Sequence, residues 1–105
     1  MSKVILAEGQ PTVQLVIALA EAGQAAVEHY QAVRERKRFR QAYVEIRNRW
    51  LRENGHGRTM RDAMEDPEFF NATDDAYRAF VEARRAERNA LRRLETQCRK
   101  AGGAA

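Results

Sequence analysis

Residues 34–54 read RERKRFRQAYVEIRNRWLREN and contain neither glycine nor proline. Arginine is frequent in this segment, and four large side chains follow one another at intervals of four, three and four residues: Phe39, Tyr43, Ile46 and Trp50. Because an α-helix turns once in about 3.6 residues, these intervals place all four side chains on one helical face. This aromatic face needs a partner surface, which we expect the rest of the chain to provide.

The composition favours helix over the whole chain. Only six of the 105 residues are Gly and two are Pro, while 44% are hydrophobic and 32% are charged. A chain of this length is expected to form one domain with a modest core. The one cysteine, Cys98, excludes an internal disulfide, and its place on an apolar helix face predicts a small buried side chain. A reducing, cytoplasmic setting fits this cysteine usage.

Charge is distributed unevenly along the chain. Basic side chains dominate residues 34–61 and 76–105, whereas residues 62–75 hold six acidic side chains and no basic one. All but three of the 19 basic residues are arginine, which binds phosphates and carboxylates in a bidentate manner. Two interpretations stay open: the acidic connector screens the basic helices, or an exposed basic surface binds nucleic acid or an acidic protein.

The first part of the chain predicts an N-terminal arm over residues 1–10 and a helix 1 over residues 11–54. Pro11 is favourable in the first turn of a helix, where its missing N–H would have had no partner. Residues 13–20 are apolar except for Gln14, but Glu21 ends this run well before the roughly 20 residues that a membrane span needs. We therefore interpret the run as a core segment and expect no membrane insertion.

A heptad-like seam is predicted along helix 1, at Leu15, Leu19, Ala22, Ala26, His29 and Val33. The aromatic face begins at Phe39, six residues after Val33, which turns it by about 120° from this seam. Either helix 1 breaks or bends near residues 34–38, or one continuous helix of about 64 Å contacts two different neighbours. We expect a bend or an oligomer.

Residues 55–73 are expected to connect the long helices and to include one short helix. Gly55 follows the last turn of helix 1, where a left-handed glycine commonly ends a helix. Thr59 followed by Asp62 resembles a capping box and opens the short helix. Pro67 should end it, and the aromatic pair that follows Glu68 is expected to close the open end of a helical hairpin.

Helix 3 is predicted over residues 74–101, capped by Asn71 or Thr73, with residues 102–105 as a tail. Its apolar face gathers six side chains: Phe80, Ala83, Ala90, Leu91, Leu94 and Cys98. That face can pair with helix 1. The predicted fold is therefore all-α, a single domain over residues 1–105 that forms a long helical hairpin or a small bundle.

Another side of helix 3 carries arginines at intervals of seven residues, with one more between them: Arg78, Arg85, Arg92 and Arg99, and Arg88. Seven residues rise about 10.5 Å, so the stripe is about 31 Å long. Because Glu82 and Glu95 lie within reach of these arginines, the stripe is either a salt-bridged solvent face or a binding surface for phosphates or an acidic groove.

Residues with catalytic or cofactor chemistry are scarce. His29 and His56 have no partner set, and the two glycines beside His56 match no phosphate-binding loop. Four carboxylates between residues 62 and 68 lack the spacing of a calcium-binding loop. A helix-turn-helix over residues 42–64 is disfavoured because its second helix is acidic. We predict no catalytic, cofactor-binding or metal-binding residue.

The sequence thus predicts a non-enzymatic helical interaction protein that self-associates and docks on a larger protein or nucleoprotein complex. Small arginine-rich helical proteins of this kind are common among accessory proteins of phages and mobile elements, which suggests an adaptor or an inhibitor. The alternative is a direct DNA- or RNA-binding protein. The predicted partner-binding residues are Phe39, Tyr43, Trp50, Arg36, Arg40, Arg47, Arg78, Arg85, Arg88, Arg92 and Arg99.

Overall fold

The computed structural model describes residues 12–104, and the fold is all-α. Helix α1 spans Val13–Asn54, α2 spans Met60–Met64 and α3 spans Pro67–Ala104, with no strand in the described part of the chain. This long, short, long order is the predicted helical hairpin. None of the helices between residues 12 and 104 has the length and apolar character that crossing a membrane requires. The predicted arm and the start of helix 1 at Pro11 lie outside the described residues.

Helix α1 begins with a side-chain cap. The Thr12 hydroxyl accepts a hydrogen bond from the backbone N–H of Leu15 at 3.0 Å, as the N-cap residue of a helix does. From Val13 the helix continues without interruption through residues 34–38, where a break or bend was one of the two expected possibilities. The aromatic and arginine-rich segment is therefore the second half of one helix.

Helix α1 ends at a glycine that is not left-handed, contrary to the prediction. The N–H of Gly55 donates to the carbonyl oxygen of Leu51 at 2.8 Å, so Gly55 still follows the helical hydrogen-bonding pattern. A Cβ atom at Gly55 would lie 2.5 Å from that oxygen, which requires a glycine there. Gly57, with φ of 74°, is the left-handed residue in the connection.

The predicted cap of the short helix is confirmed. The Thr59 hydroxyl accepts a hydrogen bond from the N–H of Asp62 at 3.1 Å and opens α2. Pro67 was predicted to end the short helix. It is the first residue of α3, and α2 ends at Met64. Proline is favourable at the first helical position, and Asp66 caps the helix by accepting a hydrogen bond from the N–H of Glu68 at 2.9 Å.

Helix α3 is consequently longer than predicted at both ends. It starts at Pro67 and not at residue 74, so neither predicted cap is a cap. Asn71 lies within the helix, and the Thr73 hydroxyl donates back to the carbonyl oxygen of Phe69 at 2.8 Å. At the other end, the helix continues through the glycines of the predicted tail as far as Ala104.

The residues of the chain fall into two compact units. Unit 1 comprises Met1–Val33 and Ala86–Ala105, and unit 2 comprises Arg34–Arg85. Each unit thus combines one part of α1 with one part of α3, and unit 2 also holds α2.

The interior of unit 1 is built mainly from alanine. On α1 a row of buried and half-buried positions recurs at intervals of three and four residues: Leu15, Ala18, Ala22, Ala25, His29 and Ala32. On α3 they are Glu87, Ala90, Leu94, Gln97 and Ala101. The carboxylate of Glu28 lies 3.7 Å from the Arg93 guanidinium and links the two helices. Alanine permits the close approach that the packing of these helices requires.

This alanine register corrects the predicted seam. Leu19 and Ala26, which the sequence placed on the seam, are exposed, and Ala18 and Ala25 are buried in their place. Cys98, predicted to be buried, is exposed on α3. The run over residues 13–20 is therefore mostly surface and not core, because only two of its side chains are buried.

Unit 2 has larger side chains in its interior. The inward positions of α1 are Arg36, Phe39, Tyr43, Ile46 and Trp50, and those of α3 are Phe69, Thr73, Ala76, Phe80 and Ala83. Ala63 of α2 is also buried. Since Ala32 and Arg36 are four residues apart, both parts of α1 follow one heptad register. The expected offset of about 120° was counted from Val33 and not from Ala32, which lies seven residues before Phe39.

Candidate protein-docking site

Unit 2 contains an apolar cleft of about 400 Å³. Its walls come from all three helices: Tyr43 of α1, Met64 of α2, and Phe69, Phe70, Thr73, Asp74 and Tyr77 of α3. A volume of this size lies near the lower end of the roughly 300–1,000 Å³ that ligand sites in proteins enclose. The cleft can therefore receive a few apolar groups of a partner.

Two adjacent phenylalanines supply the floor and the rim of the cleft. Phe69 is 3% exposed, and its ring meets that of Trp50 edge-on, with 5.4 Å between centroids. Phe70 is 56% exposed, and its ring meets the Phe69 ring edge-on at 5.8 Å. Edge-to-face pairs at these distances are favourable aromatic contacts. The buried ring thus fixes the position of the exposed one.

Two tyrosines also line the cleft. The Tyr43 ring lies 5.3 Å from the Tyr77 ring and stacks on the Phe80 ring at 6.4 Å, measured between centroids. Tyr77 keeps 44% of its surface exposed. The Arg47 guanidinium lies 5.9 Å from the Tyr43 ring centroid, within the range of a cation–π contact. These contacts hold the two tyrosines against each other.

Backbone geometry at the start of α3 explains how the cleft forms. Pro67 and the Asp66 cap set the first turn of the helix, which directs Phe69 inward and Phe70 outward as consecutive residues. Phe70 and Tyr77 are seven residues apart and therefore share one helical face. The sequence shows this spacing of seven residues. It was not used because helix 3 was predicted to start at residue 74, which left Phe70 outside the helix.

The three predicted aromatic residues have different positions in unit 2. Tyr43 lines the cleft, whereas Trp50 supports it from behind through Phe69. Phe39 is half-buried outside the cleft, and the Arg38 guanidinium lies 5.1 Å from its ring centroid. Phe70 and Tyr77, the most exposed rings of the cleft, were absent from the predicted site.

Charge at the rim of the cleft is paired. Asp74 forms an ion pair with Arg78 at 2.8 Å, so neither side chain carries an uncompensated charge there. Both are partly exposed, and such pairs contribute little to stability. The cleft therefore favours an apolar anchor and leaves its rim open to polar contacts.

The predicted arginine stripe belongs to both units, with Arg78 and Arg85 in unit 2 and the other three in unit 1. Arg85 pairs with Glu82 at 2.9 Å. Arg92 donates to Asn89 at 3.1 Å and Arg99 to Thr96 at 3.5 Å. All these partners are neighbours on α3 itself, and all five arginines are exposed.

The predicted arginines of α1 are less uniform. Arg40 is exposed, whereas Arg36 and Arg47 are half-buried, and Arg36 occupies an inward position. The structure therefore does not place these three side chains on one exposed flank. Among the carboxylates of the connector, Glu65 pairs with Arg61 at 3.5 Å and Asp66 with Arg58 at 2.8 Å. Residues 12–104 hold no group of His, Cys, Asp and Glu side chains arranged to bind a metal.

Comparisons of the chain with protein-family models, with curated proteins and with solved structures find no match.

Proposed function

We propose that this chain is a non-enzymatic interaction protein that binds another protein through the aromatic cleft of unit 2. The observation that supports this proposal is the pair Phe70 and Tyr77, which remain exposed above the buried contact of Phe69 with Trp50. Exposed aromatic side chains on a rigid, apolar surface are the usual anchors of protein interfaces.

The chemistry of the cleft indicates the kind of partner. Its lining is predominantly aromatic and apolar, and its acidic rim residue Asp74 is neutralised by Arg78. A bulky aliphatic or aromatic side chain of a partner protein would fill it, in the way that helical segments dock apolar anchors in grooves. A chain that docks on a larger cytoplasmic assembly through this cleft would act as an adaptor or an inhibitor.

The test is a comparison of two variants in affinity capture followed by calorimetry with the purified partner. Phe70→Ala should leave the fold intact, since the side chain is exposed, and should weaken partner binding by at least tenfold. Leu91→Ala is the matched control, because Leu91 is a similarly exposed apolar residue of α3 in unit 1. It should bind the partner as the unmodified protein does.

A partner that binds the Phe70→Ala variant as tightly as the unmodified protein would refute the cleft as the docking site. Circular dichroism and urea unfolding of both variants provide the control for folding. Tight binding of a small molecule in the cleft, without any protein partner, would instead identify a ligand site.

Direct nucleic-acid binding is the second candidate function, favoured by the exposed arginines of α3. Arg85, Arg92 and Arg99 bond to neighbours on the same helix, and exposed pairs of this kind are weak enough for phosphates to displace them. Nucleic-acid affinity would then fall steeply with salt, because each neutralised phosphate releases counterions. Binding to a protein partner through the apolar cleft should instead survive moderate salt.

A further inference from the structure

Helix α1 carries a second heptad row on the side opposite to the interior of unit 1. This outer row consists of Val13, Val16, Ala20, Gly23, Val27 and Tyr30. Each member precedes an inward residue by two positions, and two residues are about 200° apart around a helix. All six residues are exposed, including Val13 at 76% and Tyr30 at 62%.

The outer row itself contains no charged side chain. Between residues 13 and 33 the charged side chains are Glu21 and Glu28, and neither belongs to the row. Glu28 is directed toward α3, where it pairs with Arg93. Ile17 and Leu19 flank the row and are also exposed. An uncharged apolar strip of this kind on a helix favours a partner surface that is equally free of charge.

Residue sizes along the outer row are symmetric about its centre. A two-fold axis between residues 21 and 22 would pair Val13 with Tyr30, Val16 with Val27, and Ala20 with Gly23 of a second copy. The smallest residues then meet at the centre, where two helices can approach closely, and the larger ones meet at the ends. Closed symmetric dimers use one self-complementary patch in this way.

The helix dipole favours one of the two possible directions of the helices. An antiparallel pair opposes the dipoles of the two α1 helices, whereas a parallel pair aligns them.

We propose that the outer row of α1 is the interface of an antiparallel homodimer. This surface is distinct from the aromatic cleft, since it lies in unit 1 and the cleft lies in unit 2. The row covers residues 13–30, a length of about 27 Å. An interface this short predicts association in the micromolar range and not an obligate dimer.

The first test is the mass in solution at high micromolar concentration, measured by light scattering and sedimentation. The unmodified chain should show twice its 12.1 kDa mass. Ala20→Arg should be monomeric, because it places a charge at the centre of the apolar strip. Ala86→Arg is the matched control, since Ala86 is an exposed alanine of unit 1 on α3, and it should remain dimeric.

The second test determines direction by disulfide formation in a Cys98→Ser background. The double variant Val16→Cys with Val27→Cys should form a covalent dimer, because these positions meet only between copies. Val16→Cys alone should not, since an antiparallel pair separates the two Val16 positions by 11 residues, or about 16 Å, beyond disulfide reach.

Three results would overturn the proposal. If the unmodified chain were monomeric, the outer row would not be a homodimer interface. If the Ala20→Arg variant were dimeric, the dimer interface would lie elsewhere. Covalent dimers of Val16→Cys alone would show a parallel pair. Phe70→Ala should stay dimeric, so loss of partner binding at the cleft and loss of the dimer can be distinguished.

Discussion

At the scale of single residues, Asp66 joins three parts of unit 2. One of its carboxylate oxygens caps α3 by accepting from the N–H of Glu68, and the other accepts from the Arg58 guanidinium at 2.8 Å. The Arg58 guanidinium also lies 6.0 Å from the Trp50 ring centroid. The hydrogen bond from Arg58, together with the one from the Glu68 amide, holds the pKa of Asp66 below its ordinary value.

This lowered pKa predicts a pH-dependent effect of Asp66→Asn. The substitution keeps an N-cap acceptor but removes the charge, so it should destabilise the protein at pH 7. Because the carboxylate has a lower pKa in the folded chain than in the unfolded one, its stabilisation is complete above about pH 5 and is lost as the pH falls below about 4. Urea unfolding at pH 7 and pH 3 measures the difference.

The control for this experiment is Asp75→Asn, which removes an exposed carboxylate from α3, the helix that Asp66 caps. It should change stability little at either pH. If the difference between Asp66→Asn and the unmodified protein were the same at pH 3 as at pH 7, the charge of Asp66 would have no part in its effect.

At the scale of elements, the glycines of α1 and its end have different reasons to be glycine. Gly55 packs against the Leu51 carbonyl at the end of the helix, whereas Gly23 has open space around the position of a Cβ atom. Gly23 lies inside the helix, where glycine is unfavourable relative to alanine. One glycine is thus required by geometry, and the other weakens the element that contains it.

Alanine substitutions should therefore have opposite effects at these two positions. Gly55→Ala should destabilise the protein by about 1 kcal/mol or more, because the new Cβ atom clashes with backbone. Gly23→Ala should stabilise it by about 0.5–1 kcal/mol. Thermal and urea unfolding at concentrations low enough to keep the chain monomeric measure both. A shift of the same sign in the two variants would contradict this distinction.

At the scale of the whole molecule, alanine occupies most of the buried apolar positions among the described residues, and many large apolar side chains are exposed. Six of the eight buried apolar residues among those described are alanine. Ten large apolar residues of the described part of the chain, in contrast, are exposed, and they include the four larger members of the outer row of α1 and the two exposed rings of the cleft. Close approach of helix backbones thus organises the interior of unit 1, while these bulky side chains lie on the surface.

An interior packed in this way should not tolerate larger side chains. Ala90, 1% exposed in unit 1, is expected to lose about 1–3 kcal/mol of stability when changed to Leu, because the helices must separate. The exposed neighbour Ala86 is the control, and Ala86→Leu should shift stability by less than about 0.5 kcal/mol. Chemical denaturation gives both values. An increase in stability for Ala90→Leu would show unfilled space between the helices.

The sequence by itself determined the all-α class, the cap at Thr59 and the shared helical face of Tyr43 and Trp50, because these follow from local hydrogen bonding and from the spacing of large residues. It did not determine which of two overlapping heptad rows on α1 is buried. Hydrophobicity favours Leu19 over Ala18, but the close packing of unit 1 selects the smaller side chain. Only the tertiary structure decides such a choice, since burial depends on the distance between helix axes as well as on the apolar character of each residue.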